Sequence, residues 1–186
     1  MEENKQAPIN WGREILDFLK MLLISIVVVF LCTRFLIRPV RVDGDSMYPT
    51  LHNNAIGFSN ILTYRMQGLK RFDIAIIYVP EKKEYLVKRV IGLPGETVTV
   101  KDGKIYIDGK EQTQAVSFCP EEMAGSFGPY EVPEDSYFVM GDNRNNSLDS
   151  RYWDNTYVKK EAILAKAGFR YWPLNKVGFV NKSAEK

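Results

Sequence analysis

Residues 74–107 read IAIIYVPEKKEYLVKRVIGLPGETVTVKDGKIYI, and the fold class follows largely from this stretch. Apolar and β-branched residues come in short runs bounded by Pro, Gly or charged residues, which is typical of strands rather than helices. Asp102-Gly103 is a strong signal for a two-residue type I′ hairpin, because both residues tolerate a positive φ. The stretch predicts four strands, over Ile74–Val79, Tyr85–Leu93, Thr97–Val100 and Lys104–Ile107.

The same pattern continues towards the C-terminus. Ser136–Met140 and Ala162–Trp172 read as strands, and Asp108-Gly109 reads as a further turn. The segment Glu111–Pro129 has no regular pattern, so we expect a long peripheral loop without structure of its own. Beyond the N-terminal region, a helical period is visible only as a single turn near Lys159–Ala165. These features predict a mainly β domain with little helix.

The N-terminal region carries an apolar segment. Residues 21–33 read MLLISIVVVFLCT without a charge, and the apolar character extends from Ile15 to Ile37. A bilayer needs about 20 helical residues, and Lys20 and Arg34 can reach the headgroups from the two ends. A buried strand or core helix is an alternative, but the segment is too long for a strand and has no polar face. A cleavable signal peptide is another, but large and basic residues follow the segment where small ones are needed.

We therefore predict one uncleaved transmembrane anchor followed by a β-rich domain. The expected boundaries are a short N-terminal tail over 1–14, the anchor over 15–37, the β-rich domain over 38–180 and a flexible tail over 181–186. Basic residues flank the apolar segment equally on both sides, so the positive-inside rule does not decide its orientation.

Composition excludes several functional classes. The formal net charge of +2 gives no general reason to expect a nucleic-acid partner. The chain has one histidine, His52, and two cysteines far apart, whereas zinc sites need three or four clustered ligands. We expect neither a metal nor another cofactor. A Ser-His-Asp triad is also disfavoured, because His52 follows Ser46 in the same local segment and cannot approach it from another element.

Ser46 lies in the segment GDSMYPTL, residues 44–51. A serine between Gly-Asp and a proline turn is usually a turn or capping residue. The G-x-S-x-G elbow of α/β-hydrolases is absent, because Tyr48 stands where its second glycine belongs. A nucleophilic serine needs a neighbouring base, and with no suitable histidine the remaining candidate is a lysine held neutral. Both interpretations of Ser46 stay open at this point.

Lys88 is the lysine that stands out, because it lies in the middle of the apolar run YLVKRVI. The usual alternative is an exposed lysine on the polar face of a half-buried strand. Lys88 and Arg89 are adjacent and face opposite sides of the sheet, and neither side offers a polar surface. If Lys88 points inward, desolvation lowers its pKa from about 10.4 towards about 7–8, which suits a base near neutrality.

A polar cluster, GDNRNNSLDSRYW, occupies residues 141–153 directly after a predicted strand. Asx turns and Asp–Arg pairs can rigidify such a loop, which is a purely structural interpretation. The alternative is that the cluster scaffolds a functional site at the end of the strand. The residues alone do not decide between the two.

Three motifs now stand in order after the anchor: SMYPTL at 46–51, YLVKRVIGLPGE at 85–96 and GDNRNNSLDSR at 141–151. Together they resemble the signature boxes of bacterial type I signal peptidases, in particular the short Gram-positive form. A weaker fourth box corresponds to Lys70–Ile74. The resemblance spans most of the chain from about Ile37 to Pro173, and it implies a β-rich, signal-peptidase-like catalytic domain preceded by one transmembrane helix.

The resemblance also implies roles for individual residues. Ser46 is expected to be the nucleophile and Lys88 the general base, with Ser147 orienting the lysine amine. Two ion pairs are expected to support the site, namely Asp142 with Arg89 and Asp149 with Arg151. The Ser46 N–H is expected to bind the oxyanion. Gly44 departs from family members that carry a hydroxyl there, so no side chain at that position supplies a second donor.

The implied activity is removal of signal peptides from exported preproteins after small residues, by a Ser-Lys dyad without a cofactor. The implied location is the bacterial cytoplasmic membrane, single-pass, with the catalytic domain over 38–180 on the extracytoplasmic side and the tail over 1–14 in the cytoplasm. Signal peptides, membrane lipid and nearby secretion machinery are the expected partners, and nucleic acid is not. Two alternatives remain: a relative of the self-cleaving repressors, and a tethered β-domain that only binds partners.

Overall fold

The computed structural model describes residues 10–79, 83–119 and 121–180. The chain divides into two units, Met1–Leu36 and Ile37–Lys186. Its regular elements are the helices α1 (Trp11–Leu31) and α2 (Ile61–Gln67) and the strands β1 (Ile37–Arg41), β2 (Ile56–Asn60), β3 (Ile74–Val79), β4 (Glu84–Gly92), β5 (Thr97–Lys101), β6 (Lys104–Ile107), β7 (Lys110–Glu111), β8 (Phe127–Glu131), β9 (Ser136–Met140), β10 (Val158–Lys159), β11 (Ile163–Trp172) and β12 (Gly178–Phe179).

Helix α1 forms the first unit together with a π-helical stretch, Cys32–Leu36. Asn10 caps α1, because its side chain accepts a hydrogen bond from the Arg13 N–H. The most apolar 18-residue window of the helix has a mean hydropathy of 2.6, and none of the residues of α1 is buried by protein. The alternative of a buried core helix or strand is therefore wrong. By length and composition the helix can cross a bilayer. It begins before the expected Ile15, and Ile37 already belongs to β1.

The second unit is built on two antiparallel sheets. Among the described residues the larger sheet has eight strands in the order β1-β2-β11-β3-β4-β9-β10, with β12 paired to β11. The smaller sheet has the order β7-β6-β5-β8. The predicted strands correspond to β3, β4, β5, β6, β9 and β11, so the expectation of a mainly β domain after one apolar helix is confirmed.

The hairpin turns follow the expected chemistry. Asp102 and Gly103 have φ values of 50° and 74°, as a type I′ turn requires. The second turn repeats this geometry, with φ values of 50° at Asp108 and 77° at Gly109. The first turn pairs Lys101 with Lys104 and aligns β5 with β6.

The core fixes the parts of the chain that carry the candidate site. One cluster packs the small sheet against the ends of β4 and β9, with Phe138 and Met140 fully buried. Another holds Met47 and Leu51 against Ile74 of β3. Met47 and Leu51 belong to the predicted Ser46 motif, so burial of these apolar side chains anchors that segment to the large sheet.

Two expectations need correction. The prediction of little helix missed α2, whose N-terminus is capped by the Asn60 side chain and which ends at Gly68 with φ 67°. The segment Glu111–Pro129 is not structureless, since it contains a 3-10 helix, Thr113–Phe118, and parts of β7 and β8. The helical turn expected near Lys159–Ala165 is present as a 3-10 turn, Lys160–Ala162. The predicted tail over 181–186 lies outside the described residues.

Candidate active site

Ser46 lies in the turn region between β1 and β2 and is half-buried. The turn is closed by two main-chain hydrogen bonds, Tyr48 N–H to Asp45 O at 3.0 Å and Leu51 N–H to Met47 O at 2.8 Å. Because Met47 is buried directly after Ser46, the turn has little freedom to move relative to the sheet. The structural interpretation of Ser46 as a turn residue is thus correct for its backbone and leaves its hydroxyl available for chemistry.

Lys88 lies on β4 and is only 3% exposed, so the alternative of a solvent-facing lysine is wrong. Its Nζ donates a hydrogen bond to Ser147 Oγ at 3.0 Å. Burial lowers the pKa of Lys88 from its ordinary 10.5 to about 8. Among the nearby charges, Asp149 and Asp142 raise the pKa and Arg151 lowers it. About a tenth of the amine is therefore neutral at pH 7, far more than for a lysine with an ordinary pKa, and a general base requires this neutral form.

Gly141 brings the turn of Ser46 next to Ser147. A Cβ at Gly141 would lie 2.2 Å from Ser147 Oγ and 2.4 Å from the Ser46 carbonyl oxygen, so only glycine leaves these two atoms in place. The Asn143 N–H donates to the same carbonyl at 3.0 Å. Ser147 Oγ accepts the hydrogen bond from Lys88 Nζ. The stretch 141–147 therefore contacts both Ser46 and Lys88. Among the described residues no direct hydrogen bond joins Ser46 to Lys88.

Arg89 and Asp142 form a fully buried ion pair on the side of β4 opposite Lys88. Arg89 Nε and Nη2 donate to the two carboxylate oxygens of Asp142 at 2.6 and 2.5 Å. Thr50 Oγ1 donates to the same carboxylate at 2.5 Å, and Arg89 Nη1 donates to the Phe72 carbonyl at 2.7 Å. This bidentate pair ties the end of the Ser46 turn to the start of the polar cluster.

The second expected pair, Asp149 with Arg151, is also buried. Arg151 Nε donates to Asp149 Oδ1 at 2.8 Å and Nη2 donates to Oδ2 at 2.9 Å. The Gly141 N–H donates to Asp149 Oδ2 at 2.9 Å, so this carboxylate also fixes the glycine beside Ser147. The structure therefore brings all seven predicted site residues into one connected cluster.

The Ser46 N–H is a main-chain donor available to an oxyanion. No hydrogen bond among the described residues uses the Ser46 N–H. Gly44 has φ 87°, a conformation that side chains adopt only with strain, and its N–H donates to Asn53 Oδ1 at 3.1 Å. The glycine is thus explained by backbone conformation, and it supplies no side-chain donor.

Several residues of the cluster were given no role in the sequence analysis. Thr50 and Gly141 lie within the quoted motifs, but only the three-dimensional contacts show what they do. Arg144 is almost fully buried, and its Nε donates to the Gly141 carbonyl at 2.9 Å. A charged residue in a polar loop is usually solvated, so no sequence signal predicted the burial of Arg144.

An apolar groove is lined by residues that neighbour members of the cluster in the sequence. Val87, the neighbour of Lys88, lies on its wall, as do Val42 and Leu51, which flank the Ser46 turn. Small residues, Ala55 and Ala167, contribute to the same wall. The groove is therefore suited to apolar side chains of an extended ligand.

No cluster of three or more metal-ligating side chains occurs in the part of the chain that the structure describes. His52 lies in the Ser46 segment, and its Nε2 contacts Lys176 Nζ. Burial and the nearby cations Lys176 and Arg170 lower the pKa of His52, while Asp45 raises it.

The sequence matches the family of signal peptidases, peptidase S26, over residues 15–172. Signal peptidase I P of Bacillus subtilis subsp. natto is 39% identical over 88% of this chain and 92% of its own length. Signal peptidase I S of Bacillus subtilis (strain 168) is 36% identical over 95% of this chain and 100% of its own length. A crystal structure of a signal peptidase I from Enterococcus faecalis is 34% identical and covers 53% of this chain and 95% of that one, with a TM-score of 0.45.

Proposed function

Since the chain belongs to the signal peptidase family, peptidase S26, we propose that Ser46 and Lys88 are the nucleophile and the general base of its chemistry. The chain is a type I signal peptidase, a serine peptidase that removes N-terminal signal peptides from preproteins. The observation that carries the assignment of the dyad is the buried Lys88 amine, bonded to Ser147 Oγ at 3.0 Å.

The proposed reaction is acyl transfer. Neutral Lys88 accepts the proton of the Ser46 hydroxyl while Ser46 Oγ attacks the scissile carbonyl carbon. The resulting ammonium gives its proton to the leaving amine, which releases one peptide and leaves an ester on Ser46. Lys88 then takes a proton from a water molecule, which attacks the ester carbonyl; the acyl C–Oγ bond breaks, the ammonium returns the proton to Ser46 Oγ, and the second peptide leaves with the free dyad restored.

Ser147 supports this chemistry by orienting the amine. A neutral amine has two N–H donors and one lone pair, and the hydrogen bond to Ser147 Oγ occupies one of the donors. Rotation of the amine is thereby restricted, which favours a lone pair directed at the Ser46 hydroxyl. Asp149 and Arg151 contribute by fixing the polar cluster, since both are buried and bonded to each other.

The Ser46 N–H is the proposed oxyanion donor, since no hydrogen bond among the described residues uses it. A main-chain donor aimed at the developing negative charge contributes about 3 kcal/mol to lowering the barrier in acyl-transfer enzymes. The positive φ of Gly44, which a residue with a side chain adopts only with strain, fits a site that works without a hydroxyl side chain at that position.

The groove beside the dyad is the proposed site for the residues that precede the scissile bond. Its wall is apolar, which suits the small apolar side chains expected one and three residues before the cleaved bond. Signal peptides are extended near their cleavage sites, so alternate side chains point to the same face and enter one groove.

We further propose that α1 anchors the protein in the bacterial cytoplasmic membrane, with the tail over 1–14 in the cytoplasm and the domain over 38–180 on the extracytoplasmic side. The length and hydropathy of α1 support a single span. A preprotein held in the bilayer by its own apolar helix is cleaved near the membrane surface, so lipid and the secretion machinery are expected neighbours.

The test uses the full chain in detergent or lipid with a purified preprotein, and it reads the cleavage position by mass spectrometry. Ser46→Ala and Lys88→Ala are expected to abolish cleavage, whereas the wild type cleaves after a small residue. Matched controls are Ser117→Ala and Lys104→Ala, which remove an exposed serine and an exposed lysine. Full activity of Lys88→Ala refutes the dyad, and an uncut preprotein with the wild type identifies a binding module.

A further inference from the structure

Arg170, on β11, binds two main-chain carbonyls instead of a carboxylate. Its Nη1 donates to the Thr50 carbonyl at 2.6 Å and its Nε donates to the Lys176 carbonyl at 2.6 Å. None of the ion pairs among the described residues involves Arg170. The side chain is half-buried, and this burial lowers the pKa of the guanidinium. A partly desolvated cation without an acidic partner is costly, so its two short hydrogen bonds must contribute to stability or to function.

Thr50 lies at the end of the turn that carries Ser46, and it is held from two sides. Its Oγ1 donates to Asp142 Oδ2 at 2.5 Å and accepts from Arg89 Nη2 at 3.3 Å. Its carbonyl accepts from Arg170, which approaches from a different strand. Removal of Arg170 leaves the side chain of Thr50 in place but releases its peptide group, so the effect is directed at the turn rather than at the core.

The segment that follows β11 adds a second contact to the same turn. Its 3-10 turn, Leu174–Lys176, supplies the second carbonyl to which Arg170 donates. Lys176 Nζ also contacts His52 Nε2, and His52 follows Leu51 directly. The C-terminal segment is therefore connected to the residues just beyond Ser46 directly through His52 and indirectly through Arg170.

We propose that Arg170 is a positioning residue, which acts through the Thr50 carbonyl to hold the Ser46 turn in its reactive position. The segment Leu174–Lys176 completes this clamp by fixing the other end of the guanidinium. The proposal rests on Ser46 being the nucleophile. A displacement of about 1 Å in a reacting group costs about 100-fold in rate, so a released turn lowers kcat.

The test compares kcat and KM for preprotein cleavage in Arg170→Gln and Arg170→Lys. Arg170→Gln removes both hydrogen bonds, and because Arg170 also lines the groove proposed for the substrate, the discriminating readout is kcat, which we expect to fall by about 100-fold. Arg170→Lys keeps the charge but has no planar fork, so it holds one carbonyl at most and kcat falls by about tenfold. A matched control is Lys160→Gln, which removes a cation that donates to the Glu134 carbonyl at 2.8 Å. We expect the control to keep its kcat.

Assays are run well below each variant's Tm, so a purely structural role of Arg170 leaves kcat unchanged. A kcat within twofold of the wild type in Arg170→Gln overturns the proposal, and so does a raised KM with unchanged kcat, which indicates a substrate contact. If Arg170→Gln does not fold, the kcat of Arg170→Lys becomes the test. A wild-type kcat in Arg170→Lys then overturns the proposal. Cleavage by Ser46→Ala refutes the proposed function and the clamp with it. Inactive Ser46→Ala with fully active Arg170 variants refutes only the clamp.

Discussion

Replacement of Gly141 by alanine tests the geometry of the site with one carbon atom. The new Cβ would lie 2.2 Å from Ser147 Oγ and 2.4 Å from the Ser46 carbonyl oxygen. Neither atom is the end of a long flexible side chain. Gly141 is not among the residues with positive φ, so alanine adopts its backbone conformation without strain. The perturbation is therefore the steric contact of the new methyl group with Ser147 and Ser46, not a strained backbone.

The size of the effect follows from these two distances. Non-bonded heavy atoms normally lie about 3.5 Å apart, so the Ser46 turn and Ser147 must separate from the new methyl by about 1 Å. Ser147 orients Lys88, and the displaced carbonyl belongs to Ser46 itself, so both partners of the dyad lose their alignment. A misplacement of about 1 Å costs about 100-fold in rate, which corresponds to about 3 kcal/mol in the activation free energy.

The assay is the steady-state cleavage of a purified preprotein by Gly141→Ala, with folding checked by circular dichroism. Gly92→Ala is the matched control, because its Cβ would lie 2.5 Å from a Val98 methyl, in the core rather than beside Ser46. We expect Gly92→Ala to lose stability and keep kcat, and Gly141→Ala to lose kcat. A folded Gly141→Ala protein with kcat within threefold of the wild type would refute the reasoning.

Three further changes give expected outcomes. Lys88→Met, which removes a buried amine whose pKa is lowered to about 8, is expected to raise the free energy of unfolding at pH 7 by up to about 3 kcal/mol while abolishing cleavage. Below about pH 8 both the folded and the unfolded wild type carry the ammonium, so the gain is complete there. It shrinks towards about pH 10.5, where the unfolded chain also releases the proton, and urea unfolding that shows no gain at pH 7 contradicts it. Asp142→Ala leaves Arg89 buried without its carboxylate, and we expect a loss of about 3–5 kcal/mol in urea unfolding; a loss below about 1 kcal/mol is the contrary result. Ala167→Leu fills part of the apolar groove and is expected to raise KM for preproteins with alanine before the cleaved bond more than it lowers kcat, whereas an unchanged KM would separate the groove from substrate binding.

The strands were predictable because their signals are local. The runs at Ile74–Val79 and Ser136–Met140 match β3 and β9 residue for residue, and Asp102-Gly103 has the positive φ values of its turn. Helix α2 was missed because a helix this short shows too little of the 3.6-residue period, although Asn60 and Gly68 are ordinary cap residues. The order of strands in the sheets depends on long-range pairing, on which the residues alone carry no signal.

The site was predictable in part, and for a different reason. The sequence offers no suitable histidine and no metal site, which pointed to a lysine as the base. The apolar strand around Lys88 made it a candidate provided that its side chain points inward, and in the structure Lys88 is buried. The contacts that organise the site join residues far apart in the chain, such as Thr50 with Asp142 and Arg170 with Thr50. A single arginine in a strand gives no signal that its partners are two carbonyls of distant turns.

The pH dependence of kcat/KM for preprotein cleavage tests most directly that neutral Lys88 activates Ser46. In the proposed mechanism Lys88 must lose its proton to act, and burial lowers its pKa to about 8. The account predicts that kcat/KM rises about tenfold per pH unit below about pH 8 and levels off above it. A profile that stays flat between about pH 6 and about pH 9 would contradict the account, because a lysine base that must first deprotonate cannot produce it.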